Sequence, residues 1–104
     1  MASSSEAFTK LERWKNSKTS LKVTLIVGGN TTDVVMGRLF FVDSDAGLIG
    51  VSNPLVMHSF ARLDVEDAEF SIEELRLVAT RNESDWIVFE EVEELLPMWT
   101  HSMR

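Results

Sequence analysis

The chain contains no cysteine, which excludes disulfides, a thiol nucleophile and thiolate metal sites. It has only two histidines, His58 and His101, and neither has a second ligand at helical or turn spacing, so no metal site is expected. No apolar run approaches the roughly 20 residues needed to cross a bilayer as a helix, so no membrane partner is expected. Met1 to Glu6 lacks a basic segment followed by an apolar one, so no signal peptide is expected and the cytoplasm is the expected location. Gly28-Gly29-Asn30 is too short to cradle a phosphate, and no Gly-Lys-Thr follows it. No residue set at catalytic spacing emerges. The expectation is a protein that is not an enzyme and has no cofactor.

What remains is a chain of 104 residues, one domain by size, with 44% hydrophobic residues, enough for a packed core without staples. The net charge is −7. Nucleic-acid binding draws affinity from Lys and Arg on phosphates, so this charge disfavours a nucleic-acid partner. A local patch can overrule the total. Lys10, Arg13, Lys15, Lys18 and Lys22 gather early in the chain, and the acids lie mostly after residue 63.

Ser3 and Glu6 have capping-box spacing, and Phe8, Leu11 and Trp14 follow at steps of three. This predicts a helix over about 5–16, with Trp14 in the core. Leu21 to Leu25 alternates apolar with polar, and a strand is expected over about 21–27. Gly28-Gly29-Asn30 suits a reversal, and Thr31 to Asp33 is expected to lengthen it. Val34 to Val42 is apolar on both faces, so a strand over about 34–43 needs cover on each side. Gly37 inside it marks a bend, a bulge or a close backbone approach. Further strands are expected over about 48–52, 55–65, 75–80 and 86–90. Residues 70–76 suit a strand or the start of a helix, with strand favoured from Leu75 on. Glu90 to Leu96, stopped by Pro97, is expected to form a short C-terminal helix over about 90–96. Met98 and Trp99 beyond it form a candidate interface patch.

The pattern Gly37-Arg38-Leu39, then Val42-Asp43, then Leu48-Ile49 resembles the first Sm motif of the Sm and Sm-like proteins, over about a third of the chain. The resemblance implies a mainly β fold: a small five-stranded, bent antiparallel barrel with an N-terminal α-helix, in which Gly37, Leu39, Val42 and Asp43 define the fold. Arg81-Asn82 sits where the second Sm motif has Arg-Gly, and Asn tolerates the left-handed backbone that Gly serves there. The family's base-stacking position falls on Asp45 and the Asn that bonds the base edge on Gly47, so the resemblance implies that the usual RNA pocket is missing. A lost stacking platform forfeits about 1–3 kcal/mol per base.

The resemblance therefore points to a non-enzymatic, ring-forming assembly or interaction domain. A homo-oligomer is expected through edge-strand pairing, with the uncharged run Trp86, Ile87, Val88 and Phe89 as the edge. An alternative is an RNA-binding protein using Lys10, Arg13 and Lys15 on the basic helix together with Arg81 and Asn82. A small-ligand sensor is a further alternative, with no pocket legible in the sequence.

Overall fold

Ser3 begins the first element. Its hydroxyl accepts from Glu6 N at 3.1 Å, and its own backbone N–H reaches Glu6 Oε1 at 3.3 Å. That reciprocal pair starts helix α1, Ser4–Asn16, one residue earlier than expected. The structure, a computed structural model, describes residues 3–56, 60–97 and 99–101, the last three in backbone alone. Ala7, Leu11 and Trp14 form the buried face of α1, and Phe8 meets Phe70 edge-on at 5.9 Å.

The strands are β1 (Leu21–Val27), β2 (Asn30–Asp43), β3 (Leu48–Ser52), β4 (Phe60–Asp64), β5 (Glu69–Glu73), β6 (Arg76–Asn82), β7 (Asp85–Glu91) and the short β8 (Trp99–His101). Seven of them form one antiparallel sheet in the order β4-β3-β2-β1-β7-β6-β5, and β8 pairs with β2 beside that path. Gly28 and Gly29 both take positive φ, 63° and 80°, and pairing resumes at once with Val27 opposite Asn30. The turn is therefore a two-residue one, and Thr31 to Asp33 belong to β2 rather than to a longer loop.

β2 is the long bent strand. It partners β1 from Asn30 to Gly37 and β3 from Arg38 to Asp43, so its change of neighbour falls at Gly37. A Cβ on Gly37 would lie 2.6 Å from Ser52 O and 2.8 Å from Val51 Cγ1. The glycine is there because the end of β3 crosses its Cα too closely for any side chain.

β4 and β5 are the two ends of the strand order, yet only residues 65–68 connect them. Five Cα steps of about 3.8 Å reach at most ~19 Å. A flat sheet of this many strands would set its edges about 29 Å apart, at ~4.8 Å per spacing. The sheet must therefore curl. Its concave side holds Leu21, Val23, Leu39, Ile49, Val51, Leu63, Leu77, Ala79 and Phe89, with α1 laid against them. Among the described residues no pairing joins β4 to β5, so the sheet stays open. The expected closed five-stranded barrel does not form. The hairpin β5–β6, added on the far side of β7, widens the sheet beyond five strands.

Three other expectations change. The helix over 90–96 is absent: Glu90 and Glu91 pair with Lys22 and Leu21, and Val92 N donates to Ser20 O at 3.0 Å. Cross-strand pairing takes the residues that would have formed its first turn. The strand over 55–65 shrinks to β4, because Asn53 Oδ1 accepts from Leu55 N and Asn53 O from Val56 N, making a turn there. Met57 to Ser59 lie outside the described residues, as does Met98; Trp99 is described in backbone alone. Residues 70–73 are strand, since Phe70 to Glu73 pair with Ala79 to Arg76.

Candidate functional site

The helix cations and the second-motif pair do not meet. Lys10 Nζ donates to Glu74 O at 2.8 Å and stands 4.8 Å from the Trp14 ring centre. Lys15 pairs with Glu12 at 3.0 Å. Trp14 Nε1 donates to Glu91 Oε2 at 2.8 Å. These bonds tie α1 to the β5–β6 turn and to the last residue of β7. Arg81 and Asn82 lie at the opposite end of β6 and β7, about six residue steps or ~20 Å along the strands. The helix with its cations thus serves as a clamp on one end of the sheet, and it forms no single basic surface with Arg81 and Asn82.

Asn82 is a turn former. Its Nδ2 donates to Asp85 Oδ2 at 2.8 Å, and its Oδ1 accepts from Ser84 N at 3.0 Å. Gly28 N donates to Asp85 Oδ1 at 3.0 Å, and Gly29 N to Ser84 O at 2.9 Å, so this turn also holds the β1–β2 turn. The Gly28 amide, then the Asn82 side chain, hold the Asp85 carboxyl below its ordinary value of 3.8. A group depressed in the folded state stabilises fully above its unfolded value and ceases to do so as pH falls through the folded one. The stability gap between the wild type and Asp85→Asn should therefore be constant near neutral pH and should narrow below pH 3.8. Urea unfolding at a series of pH values reads it.

Asp43 also serves backbone: its Oδ1 accepts from Asp45 N at 3.0 Å and Ala46 N at 3.1 Å. Gly47, at φ 68°, is buried under Glu66, and its carbonyl accepts from Val65 N at 2.8 Å. Leu39 is buried and Val42 packs against the core. Gly37, Leu39, Val42 and Asp43 thus shape the β2–β3 hairpin, and of the four only Asp43 is exposed.

The expected edge is not an edge. Trp86 to Phe89 lie in β7, which is paired with β1 on one side and β6 on the other. Among the described residues β4 and β5, the two ends of the seven-strand order, are each paired on one side only. β4 points Phe60, Arg62 and Asp64 outward, and β5 points Glu69, Ser71 and Glu73 outward.

The outer face of β2, β3 and β4 carries the most exposed aromatic group on the described surface. Pairing sets Arg38, Ser52 and Phe60 in one row, Phe41, Gly50 and Arg62 in the next, and Asp43, Leu48 and Asp64 in a third. A bulge between Leu39 and Phe41 turns Phe40 onto this face. Phe40 is 48% exposed and Phe60 61%. Their rings meet edge-on at 6.1 Å, and Phe40 meets Phe41 at 5.3 Å. The sequence signal for this face was the run Val34 to Val42, apolar on both sides. The sequence demanded cover for both faces; Met36 is buried on the outer one, but Phe40 is left exposed there.

Beside α1 runs an open groove of about 600 Å³ lined in part by Phe8, Arg13, Val42 and Ser44. Its lining also includes Thr9, whose hydroxyl donates to Ser5 O, and Glu12, which pairs with Lys15. Among the described residues no three His, Asp or Glu side chains are placed to hold a metal. Comparison with protein-family models, with curated proteins and with solved structures found no match for this chain.

Proposed function

We propose that this chain is a non-enzymatic assembly domain whose copies join edge to edge, β4 of one against β5 of the next. The observation that carries the reading is a pair of open edges of equal length on which an outward cation can meet an outward acid. Outward on β4 stand Arg62 and, at its far end, Asp64, and outward on β5 stand Glu69 and Glu73. An antiparallel register that sets Arg62 opposite Glu69 also sets Ala61 opposite Phe70, so the apolar inner row continues from copy to copy. Open edges are liabilities unless paired or protected, and neither strand carries a proline. A contact between two different edges is head-to-tail, and it closes into a ring where the rotation allows. The Sm-like resemblance enters here through the adjacency of β4, β3, β2, β1 and β7, with the hairpin β5–β6 as an addition that moves the free edge from β7 to β5.

Light scattering at tens of micromolar tests it. The wild type should run larger than a monomer, Arg62→Glu should shift it toward monomer, and adding Glu69→Lys to that variant should restore association. A wild type that stays strictly monomeric, or a charge swap without rescue, rejects the β4–β5 contact.

A further inference from the structure

We propose that the outer face of β2, β3 and β4 docks an extended acidic segment of another protein, one with two carboxylates about four residues apart around an aromatic or aliphatic side chain. The face is built before any ligand arrives. Gly50 lies under the Phe40 and Phe41 rings so closely that a Cβ there would sit 2.6 Å from Phe40 Cζ. Rings seated on a glycine and braced edge-on against each other lose little freedom on binding, which removes one cost of association. Aromatic residues and arginine are the residue types that dominate binding hot spots.

Arg38 and Arg62 flank these rings, and neither has a hydrogen bond or ion pair from its side chain among the described residues. Arg38 Nε is sealed from solvent with no acceptor. That burial fixes the stem of Arg38, and a carboxylate is the strongest acceptor a protein partner offers a guanidinium. The two arginines stand two strands and one row apart. At ~4.8 Å per strand and ~6.7 Å per row their Cα atoms are about 12 Å apart, the span of roughly four extended residues. Phe40 lies between them. The order of chemistry across the face is thus cation, ring, cation, and its complement is carboxylate, apolar side chain, carboxylate.

A phosphate backbone fits less well. Asp43 and Asp64 form the adjoining row of the face, and the whole chain carries −7. A continuous line of phosphates would cross those acids, whereas two separate carboxylates need not. Arg62 serves both this face and the proposed edge contact, so a docked segment and a neighbouring copy compete for it.

The test is fluorescence anisotropy at low ionic strength with a dye-labelled nonapeptide whose third and seventh residues are glutamate and whose middle three are leucine, phenylalanine and leucine. Saturable binding is expected, weakened roughly tenfold or more by Phe40→Ser, by Arg38→Gln and by replacing the peptide glutamates with lysine. Phe60→Ser, at a more exposed position, gives the same reading if Phe40→Ser fails to fold. Glu69→Lys, which removes the edge contact's acid and frees Arg62, should not weaken peptide binding, which separates this site from the edge contact. The proposal is overturned by no saturable signal, by equal binding of the lysine peptide, by variants that bind as the wild type does, or by a single-stranded oligonucleotide that binds these residues in preference to the peptide.

Discussion

Gly37→Val should unfold at much lower urea than the wild type or fail to fold, and Gly37→Ala should lose about 3 kcal/mol or more. The obstruction is backbone: the added Cβ would lie 2.6 Å from Ser52 O, and no rotamer change moves a carbonyl oxygen. To admit it, β3 must retreat from β2 just where β2 changes partner from β1 to β3. That point sets the curl, so relief there propagates to β4 and to the buried Val51. The comparison is Gly28→Ala, where a Cβ meets nothing within 4 Å and the cost is confined to a strained φ of 63°. Equal unfolding midpoints for the Gly37→Ala and Gly28→Ala variants would contradict the close approach as the reason for glycine at 37.

Phe89→Ala should cost about 3–5 kcal/mol, a large part of the 5–15 kcal/mol that holds a typical domain together. Phe89 is fully buried, opposite Val23 on β1 and Leu77 on β6, which are themselves fully buried. Truncation leaves a void walled by rigid strands on both sides, so little collapse can fill it. This outcome also distinguishes the observed place of β7 from that of an exposed edge. An edge position would lose association with little stability, whereas a central one loses stability whatever the oligomeric state. Urea unfolding at two protein concentrations separates the two results.

Several elements were legible from nearby residues alone. Ser3 and Glu6 announce the start of α1, and Phe8, Leu11 and Trp14 its apolar stripe, of which Leu11 and Trp14 are buried and Phe8 partly so. The bounds of β1 and β3 follow from alternation and from the glycine and aspartate turns around them. Asp43 lies within its own turn, and its role needs no distant partner. Each of these rests on contacts a few residues apart, where side-chain chemistry and backbone conformation constrain one another directly.

The candidate surfaces were less legible. Trp86 to Phe89 look the same in sequence whether one side of the strand is paired or both, because an apolar, β-prone run suits either. Glu69, Ser71 and Glu73 mark β5 as the outer strand, yet the alternation around them competed with a helix start at Ser71. Phe40 was one aromatic in an apolar run, and only the bulge beside it turns it outward.

By itself, then, the sequence determined that the chain is mainly β, that a capped helix precedes the strands, and that β2 is irregular at Gly37, by a bend, a bulge or a close approach. The tertiary structure alone decided which strands are left with an unpaired side, that the sheet curls without closing, and that two arginines bracket an exposed ring. The physical reason is range: turns, caps and periodicity are written within a few residues, whereas strand order is set by hydrogen bonds between segments tens of residues apart, and many orders satisfy the same local pattern.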